Sequence, residues 1–304
     1  MRGKPGQKQK ITGGPQVGTG RPRGGRISLD RIRPAGVDGT GGGITRGGIG
    51  VLGGTFNPVH MAHLRAAEEI REILGLEKVI FVPAGNPPLK ESSGLAPADK
   101  RLKMVKLAIR GNPGFEVSDL EVSGPGVPGT GVPGLKRRGG ARCSRPAGYP
   151  GETPSYTVNT LERLGEQYGS DRLFFITGLD AFENLHLWWR PERLIELADF
   201  VVMSRPGHDF TSLAGSPFIA KKRGAKKKGF TFRGPGEKGG TARLELASGR
   251  ALYLVKITDM DISAKGIREL LAAGRSVRYL LPEPVLSFII SNKLKFQTGK
   301  LKSN

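Results

Sequence analysis

Ile49-Gly50-Val51-Leu52-Gly53-Gly54-Thr55-Phe56-Asn57-Pro58-Val59-His60-Met61-Ala62-His63-Leu64 joins a short apolar run to a helical pattern through a loop of glycines and polar residues. Ile49 to Gly53 reads as a buried strand, and Met61 to Leu74 continues with apolar residues at helical spacing and charges between them. Gly53 and Gly54 let the backbone come close to a ligand, and Thr55 and Asn57 offer polar contacts. His60 and His63 stand three apart at the start of the helix and so share a face. A helix N-terminus attracts an anion through its free N–H groups and its dipole, and two imidazoles beside it can donate to the anion's oxygens, which suits phosphate. Taken alone, the histidine pair is equally compatible with one ring capping the helix and the other packing. Zinc fits less well, because no third ligand is evident and no Glu completes a His-Glu-x-x-His arrangement.

Outward from this loop the chain alternates short β-branched runs with helical patterns. Strands are predicted at Lys78 to Val82, Phe115 to Ser118, Arg172 to Thr177, Phe200 to Ser204 and Leu252 to Ile257. Helices are predicted at Ala98 to Arg110, Thr157 to Tyr168, Pro191 to Ala198, Ser263 to Ala273 and Pro284 to Ser291, with Pro191 and Pro284 suited to first turns. Such a β-α-β series implies an α/β fold, a Rossmann-like doubly wound parallel sheet with helices on both faces. Ligands of such sheets sit beyond the carboxyl ends of the strands, where the strand order reverses.

Several segments then carry a resemblance. Gly53-Gly54-Thr55-Phe56-Asn57-Pro58-Val59-His60-x-x-His63 resembles the signature of the nucleotidyltransferase superfamily, whose (His/Thr)-x-Gly-His motif holds ATP phosphates. Val82 to Lys90, Pro154 to Leu161, Phe175 to Asp180 followed by Trp188-Trp189, Ser204 to Gly207, and Ile262-Ser263-x-x-x-Ile267-Arg268 resemble, in order, motifs of the bacterial nicotinate-nucleotide adenylyltransferases. The similarity spans about 49–120, 153–207 and 252–295. It departs at three places: Ala62 stands for the Gly of His-x-Gly-His, Leu89 for the His of Pro-Pro-His-Lys, and Ala264-Lys265-Gly266 for Ser-Thr-x. The last two remove polar groups near the nucleotides and bear on efficiency.

The resemblance implies transfer of AMP from ATP to nicotinate mononucleotide, giving the deamido dinucleotide and pyrophosphate in NAD biosynthesis. It implies His63, His60 and Arg268 as the catalytic set, His63 reaching the α-phosphate and Arg268 the β- and γ-phosphates. Gly53, Gly54, Thr55, Phe56, Gly178, Asp180 and Ser263 would complete the ATP site, and Asn57, Lys90, Tyr156, Thr157 and Trp188 the acceptor site. Trp189 reads equally as core, Asp180 and Ser263 also fit helix caps, and His186 and His208 read as a packing residue and a loop residue. Lys265, unfavourable in a first helical turn, is better accommodated with an anion bound there. Mg²⁺ is expected with the triphosphate, held by substrate oxygens and water, with no carboxylate cage. Acceptors of the same superfamily left open are nicotinamide mononucleotide and phosphopantetheine.

Composition divides the chain. Of its 304 residues, 48 are Lys or Arg and 27 Asp or Glu, a net charge of +21. The stretches 1–48, 121–152 and 207–250 carry +8, +3 and +7, leaving +3 on the other 180 residues. These stretches are Gly-, Pro- or Lys-rich and are expected to be flexible, since they offer little apolar area to offset ordering entropy of about 1–2 kcal/mol per residue. The expected organisation is a basic extension at 1–48, one nucleotidyltransferase domain at 49–295 with insertions at 121–152 and 208–250, and a flexible tail at 296–304. A lone Cys143 excludes an intrachain disulfide and multi-cysteine zinc sites. No signal-peptide core and no run of 18 apolar residues occurs, so a cytoplasmic enzyme is expected. The glycine density of 1–48 argues against an amphipathic transit peptide. A second class of reading, a basic RNA-associated protein using Lys221 to Lys228, lacks the interleaved stacking aromatics of single-strand grooves and implies only weak, salt-sensitive association.

Overall fold

A computed structural model of the protein describes residue 1 and residues 47–87, 94–122, 154–204, 210–220, 240–294 and 296. Contacts divide the chain into Met1–Asp38 and Gly39–Asn304, and apart from Met1 the described residues lie in the second unit. Its elements run β1 (Ile49–Gly54), α1 (Met61–Leu74), β2 (Lys78–Pro83), α2 (Ala98–Ala108), β3 (Phe115–Val117), α3 (Thr157–Tyr168), β4 (Leu173–Gly178), α4 (Leu179–Glu183), α5 (Pro191–Leu197), β5 (Asp199–Met203), β6 (Thr241–Glu245), β7 (Ala251–Val255), α6 (Ala264–Ala272) and α7 (Glu283–Ser291). The seven strands lie in the order β3-β2-β1-β4-β5-β7-β6. Every pairing is parallel except β6 with β7.

Alternation along each strand makes two cores. Val79 and Phe81 of β2, Phe174 and Ile176 of β4 and Val201 of β5 pack on one face with Ile70 and Leu74 of α1, Met104 and Val105 of α2, Ile267 of α6 and Val285 of α7. Ile80 and Val82, Leu173 and Phe175, and Phe200 and Val202 pack on the other with Val158 and Leu161 of α3, Phe182 of α4 and Leu194 of α5. A central strand buried on both faces reads as a continuous apolar run, as β2, β4 and β5 do. The expected doubly wound sheet with helices on both faces is therefore present. Its order reverses between β1 and β4, which pair from Ile49 with Leu173 to Leu52 with Ile176. The crevice beyond these two carboxyl ends is where such a fold binds ligands.

Three expectations about the additions need correction. The segment 208–250 is not one flexible insertion: Phe210, Leu213 and Phe218 are buried in the second core, and β6 forms a hairpin with β7 that buries Ala242 and Leu246. Its lysine and glycine content hides these anchors, which are spaced singly among polar residues. The tail also holds an anchor, since Phe296 is buried in the first core. At the other boundaries, Glu121 lies in a turn against α3, and the Gly47 carbonyl accepts from Arg172. The rest of 1–46, 123–153, 221–239 and 297–304 lies outside the described residues. No helix among the described residues is long and apolar enough to cross a membrane.

Leu246 has no exposed surface. Leu246→Ala is expected to destabilise the protein by about 2–5 kcal/mol in urea denaturation, the cost of a cavity at a fully buried leucine. A loss under about 0.5 kcal/mol would return this hairpin to the dispensable additions.

Candidate functional site

The loop leaving β1 is shaped by a close approach: a Cβ on Gly54 would stand 3.0 Å from the ring of Phe56. Phe56 is buried at φ +47°, a left-handed conformation unusual for an aromatic residue. Its ring meets the edge of His63 with centroids 5.1 Å apart and leans on Phe81 of β2. The chain then reaches His60 in extended conformation, at the N-cap of α1.

The two histidines stack, with ring centroids 3.7 Å apart and planes 29° from parallel. The His60 main-chain N–H donates to His63 Nδ1 at 3.2 Å. That bond occupies the Nδ1 lone pair, so Nε2 is the nitrogen of His63 that carries the proton. His60 is buried, which pulls its pKa down to about 4, so it is neutral at pH 7. Its Nδ1 has no hydrogen-bond partner among the described residues. Such an unmet polar atom, beside a helix N-terminus and a glycine loop, is a place for a ligand or water.

Arg268 reaches this loop from the far end of the chain. Ser263 caps α6 by accepting the Gly266 N–H at 3.1 Å, Ile267 anchors the helix in the core, and Arg268 Nη1 donates to the Asn57 carbonyl at 2.9 Å. Burial lowers the Arg268 pKa, but a guanidinium stays charged at neutral pH. Glu69 fixes the approach to α6: one carboxylate oxygen accepts from Arg65 and the other from the Thr258 N–H at 2.7 Å.

Other expected residues fall into three groups. Gly178 ends β4 and caps α4, and Asp180 lies in the first turn of α4 with its carboxylate folded back over Gly178; both border the same crevice. Tyr156 and Thr157 sit at the N-terminus of α3. Trp188 is half-buried, edge-on to Phe175 of β4, whereas Trp189 is exposed and stacks on Tyr156 with centroids 5.3 Å apart. Trp189 is thus not core, and it adds an aromatic face beside Tyr156. His186, expected to pack, is exposed. Lys265 is exposed and 3.9 Å from Glu269. Asn57, expected to touch substrate, is buried: Nδ2 donates to the Gly94 carbonyl and Oδ1 accepts the Ala96 N–H, so its amide joins two loops instead. Lys90, Leu89 and His208 lie outside the described residues.

The sequence reading missed two supporting groups. Arg101 of α2 is 2% exposed and donates to four carbonyls, those of Thr55, Ala84, Gly85 and Ala96. The signal was its position three and four residues before Met104 and Val105, on the apolar face of α2. Glu121 accepts from Thr160 Oγ1 at 2.6 Å, and burial raises its pKa despite the hydroxyls of Thr160 and Ser155. A lone glutamate before a Gly/Pro-rich stretch gave no comparable sign. Among the described residues no three His, Cys, Asp or Glu side chains gather where they could hold a metal ion.

Residues 51–270 match the family model described as cytidylyltransferase-like. A protein of Citrifermentans bemidjiense named as a probable nicotinate-nucleotide adenylyltransferase is 39% identical over 246 residues, covering 81% of this chain and 97% of its own. A protein of Geobacter sulfurreducens with the same name is 37% identical over 250 residues, 82% of this chain and 99% of its own. Among solved structures, Plasmodium falciparum nicotinic acid mononucleotide adenylyltransferase complexed with NaAD superposes with a TM-score of 0.54 at 15% identity, over 82% of this chain and 97% of that one. At that identity the likeness supports the fold alone.

The neutrality of His60 has a thermodynamic consequence. Its folded pKa of about 4 lies below the ordinary 6.5, so between these values the unfolded chain binds a proton that the folded chain refuses. Its stabilising contribution is complete above pH 6.5 and is lost as pH falls toward 4, by roughly 2–3 kcal/mol at pH 4.5. Urea denaturation at pH 7 and 4.5 should therefore show a smaller pH-dependent loss for His60→Asn than for the parent. Equal losses would mean that His60 titrates normally.

Proposed function

The chain belongs to the nicotinate-nucleotide adenylyltransferase family, and on that premise we propose that it transfers AMP from ATP to nicotinate mononucleotide, forming the deamido dinucleotide and pyrophosphate. The observation that carries this reading is the meeting of the His60–His63 stack with Arg268 on one loop above the strand-order reversal.

A phosphate oxygen of the acceptor attacks the α-phosphorus of ATP. A new P–O bond forms there, the bond from α-phosphorus to the bridging oxygen breaks, and pyrophosphate leaves. The attacking phosphate is already ionised at pH 7, so the reaction needs no protein base or nucleophile. It needs alignment and compensation of negative charge. His63 Nε2–H donates to an α-phosphate oxygen, in the tautomer set by the His60 N–H. His60 backs the ring of His63 as an uncharged partner. Arg268 takes the β- and γ-phosphates and then the leaving pyrophosphate, its planar fork matching phosphate oxygens. Gly53, Gly54, Thr55 and Phe56 line the phosphate loop, and Gly178, Asp180 and Ser263 border the nucleotide. A divalent cation, taken as Mg²⁺, enters with ATP as part of the substrate. Among the described residues Asp180 is the one carboxylate proposed to border the nucleotide, and the cation would be carried mainly by triphosphate oxygens.

For the acceptor, Tyr156 with the neighbouring Trp188 and Trp189 supplies an aromatic surface for the nicotinate ring, and the N-terminus of α3 at Thr157 favours its carboxylate. Lys90 is the proposed contact to the acceptor phosphate. Asn57 supports the site by holding its loops together and is not proposed as a substrate contact.

A pyrophosphate-release assay with Mg²⁺ and ATP, offering nicotinate mononucleotide, nicotinamide mononucleotide and phosphopantetheine in parallel, tests the substrate. Nicotinate mononucleotide is expected to give the highest kcat/KM, and a clear preference for either alternative would overturn the assignment. His63→Ala should lower kcat by about 10²–10³-fold with a smaller change in KM, the loss of a transition-state donor. Arg268→Lys should chiefly raise the KM for ATP, and an unchanged KM would place the arginine outside the triphosphate site.

A further inference from the structure

Arg101 stands apart from every group given a role above, yet it contacts more of the site's framework than any of them. Its Nε donates to the Ala96 carbonyl at 2.9 Å, Nη1 to the Thr55 carbonyl at 2.9 Å and to the Ala84 carbonyl, and Nη2 to the Gly85 carbonyl at 2.8 Å. Thr55 belongs to the phosphate loop after β1, and Ala84 and Gly85 to the turn after β2. Ala96 is tied in turn to Asn57 Oδ1, and the Asn57 carbonyl holds Arg268.

The turn after β2 is gripped on both edges. In a trans peptide the C=O and N–H point in opposite directions. The peptides 84–85 and 85–86 turn their carbonyls toward Arg101, and their N–H groups, those of Gly85 and Asn86, donate to Ser155 Oγ at 3.0 Å each. Ser155 immediately precedes Tyr156, at the acceptor side of the crevice. The fit is tight enough that a Cβ on Gly85 would stand 1.9 Å from the Glu121 carbonyl oxygen. The Thr55–Phe56 peptide likewise turns its carbonyl to Arg101 and its N–H away from it.

We propose that Arg101 is a positioning residue that sets the separation between the phosphate loop at 54–57 and the acceptor-side turn at 84–86, and so aligns the acceptor phosphate with the α-phosphorus. The inference rests on the adenylyl-transfer reading. A reaction that proceeds by alignment is sensitive to such a spacing, because a shift of about 1 Å can cost 10²-fold in rate. Lysine cannot substitute. It has three donors on a flexible stem against the five fixed donors of guanidinium, and so leaves at least one of four buried carbonyls unmet.

The test is Arg101→Lys in the full-length protein, measured for thermal unfolding, for equilibrium binding of ATP and of nicotinate mononucleotide separately, and for steady-state kinetics with both. The expected result is a cooperatively folded variant whose kcat falls about 10–100-fold while both dissociation constants stay within about three-fold. Loss of kcat at preserved binding is what misalignment produces; a merely structural role would lower the unfolding temperature and leave kcat per folded molecule unchanged. Retained kcat, or weakened binding at retained kcat, would overturn the proposal. Should Arg101→Lys not fold, Ser155→Ala removes the two hydroxyl bonds on the other edge of the same turn, leaving the Ser155 N–H bond to the Asn86 carbonyl. It is expected to lower kcat about ten-fold with ATP affinity unchanged, and kcat within two-fold of the parent would overturn the proposal. The parent is run beside both variants: failure of the parent itself to form the dinucleotide refutes the adenylyl-transfer reading, whereas an active parent with an equally active variant refutes only the role of Arg101.

Discussion

A guanidinium shut away from water costs several kcal/mol unless its donors are met, and in this protein four main-chain oxygens meet those of Arg101. No carboxylate touches it among the described residues; Glu121 and Asp99 act on it only at a distance. Carbonyl oxygens carry partial charge, so the cation is tolerated only while all four converge on it. The loop after β1, the turn after β2 and the residue leading into α2 are therefore fixed by one shared requirement. A covalent crosslink would bind them no more specifically, because moving any one loop leaves part of a buried charge uncompensated.

That requirement acts where the sheet leaves an opening. Parallel pairing runs Gly54 alongside Pro83 and Gly178 alongside Met203, so four strands present their carboxyl ends along one edge. Helices cover both faces of the sheet, and the reversal of strand order separates the connection after β1 from that after β4. The sheet thus supplies the crevice, and its main-chain bonding reaches into the connections, where the Ala84 N–H donates to the Gly54 carbonyl at 2.9 Å. Arg101 and Asn57 add side-chain ties on the β1–β2 side, and Glu69 does similar work for the segment leading to Arg268 by accepting the Thr258 N–H. Residues remote in sequence, such as Asn57 and Arg268, meet because buried polar groups on the helices hold the loops between them.

The elements that were legible in the sequence are those whose burial is regular. β2, β4 and β5 are apolar on both faces, and α1 and α3 carry an apolar stripe at helical spacing, so local pattern and final environment agree. β6 was not legible. It is an edge strand with one apolar side, set among lysines and glycines, and its pairing with β7 is decided by tertiary contact. Phe210, Phe218 and Phe296 are single anchors in polar surroundings, and composition averages them away. Within the site, the histidine loop and Arg268 stood out because their residue types suit phosphate, and the fold brings them to one loop. Arg101 and Glu121 did not, since a charged side chain on an amphipathic helix or beside a loop is ordinarily solvated, and only the fold reveals that Arg101 is enclosed and Glu121 half-buried. Asn57 shows the converse: a polar residue in a ligand loop whose amide is committed to holding the protein together.

The charge of the site is arranged differently from the charge of the chain. Most of the net +21 belongs to segments outside the described fold, whereas the loop after β1 gathers Arg268, the amino end of α1 and an uncharged His60 imidazole. Two imidazolium rings with centroids 3.7 Å apart would repel by about 4 kcal/mol at an effective dielectric of about 20, and the helix dipole would oppose both charges. Burial of His60 removes that conflict by keeping one ring neutral, and it is this neutrality that allows the other to lie stacked against it. The stack and the His60 N–H then orient His63 so that Nε2–H is directed by protein geometry in place of solvent. In the proposed adenylyl transfer, a donor held in this way would give up no reorganisation energy as charge develops on phosphate, which is the advantage of a fixed dipole over a mobile cation.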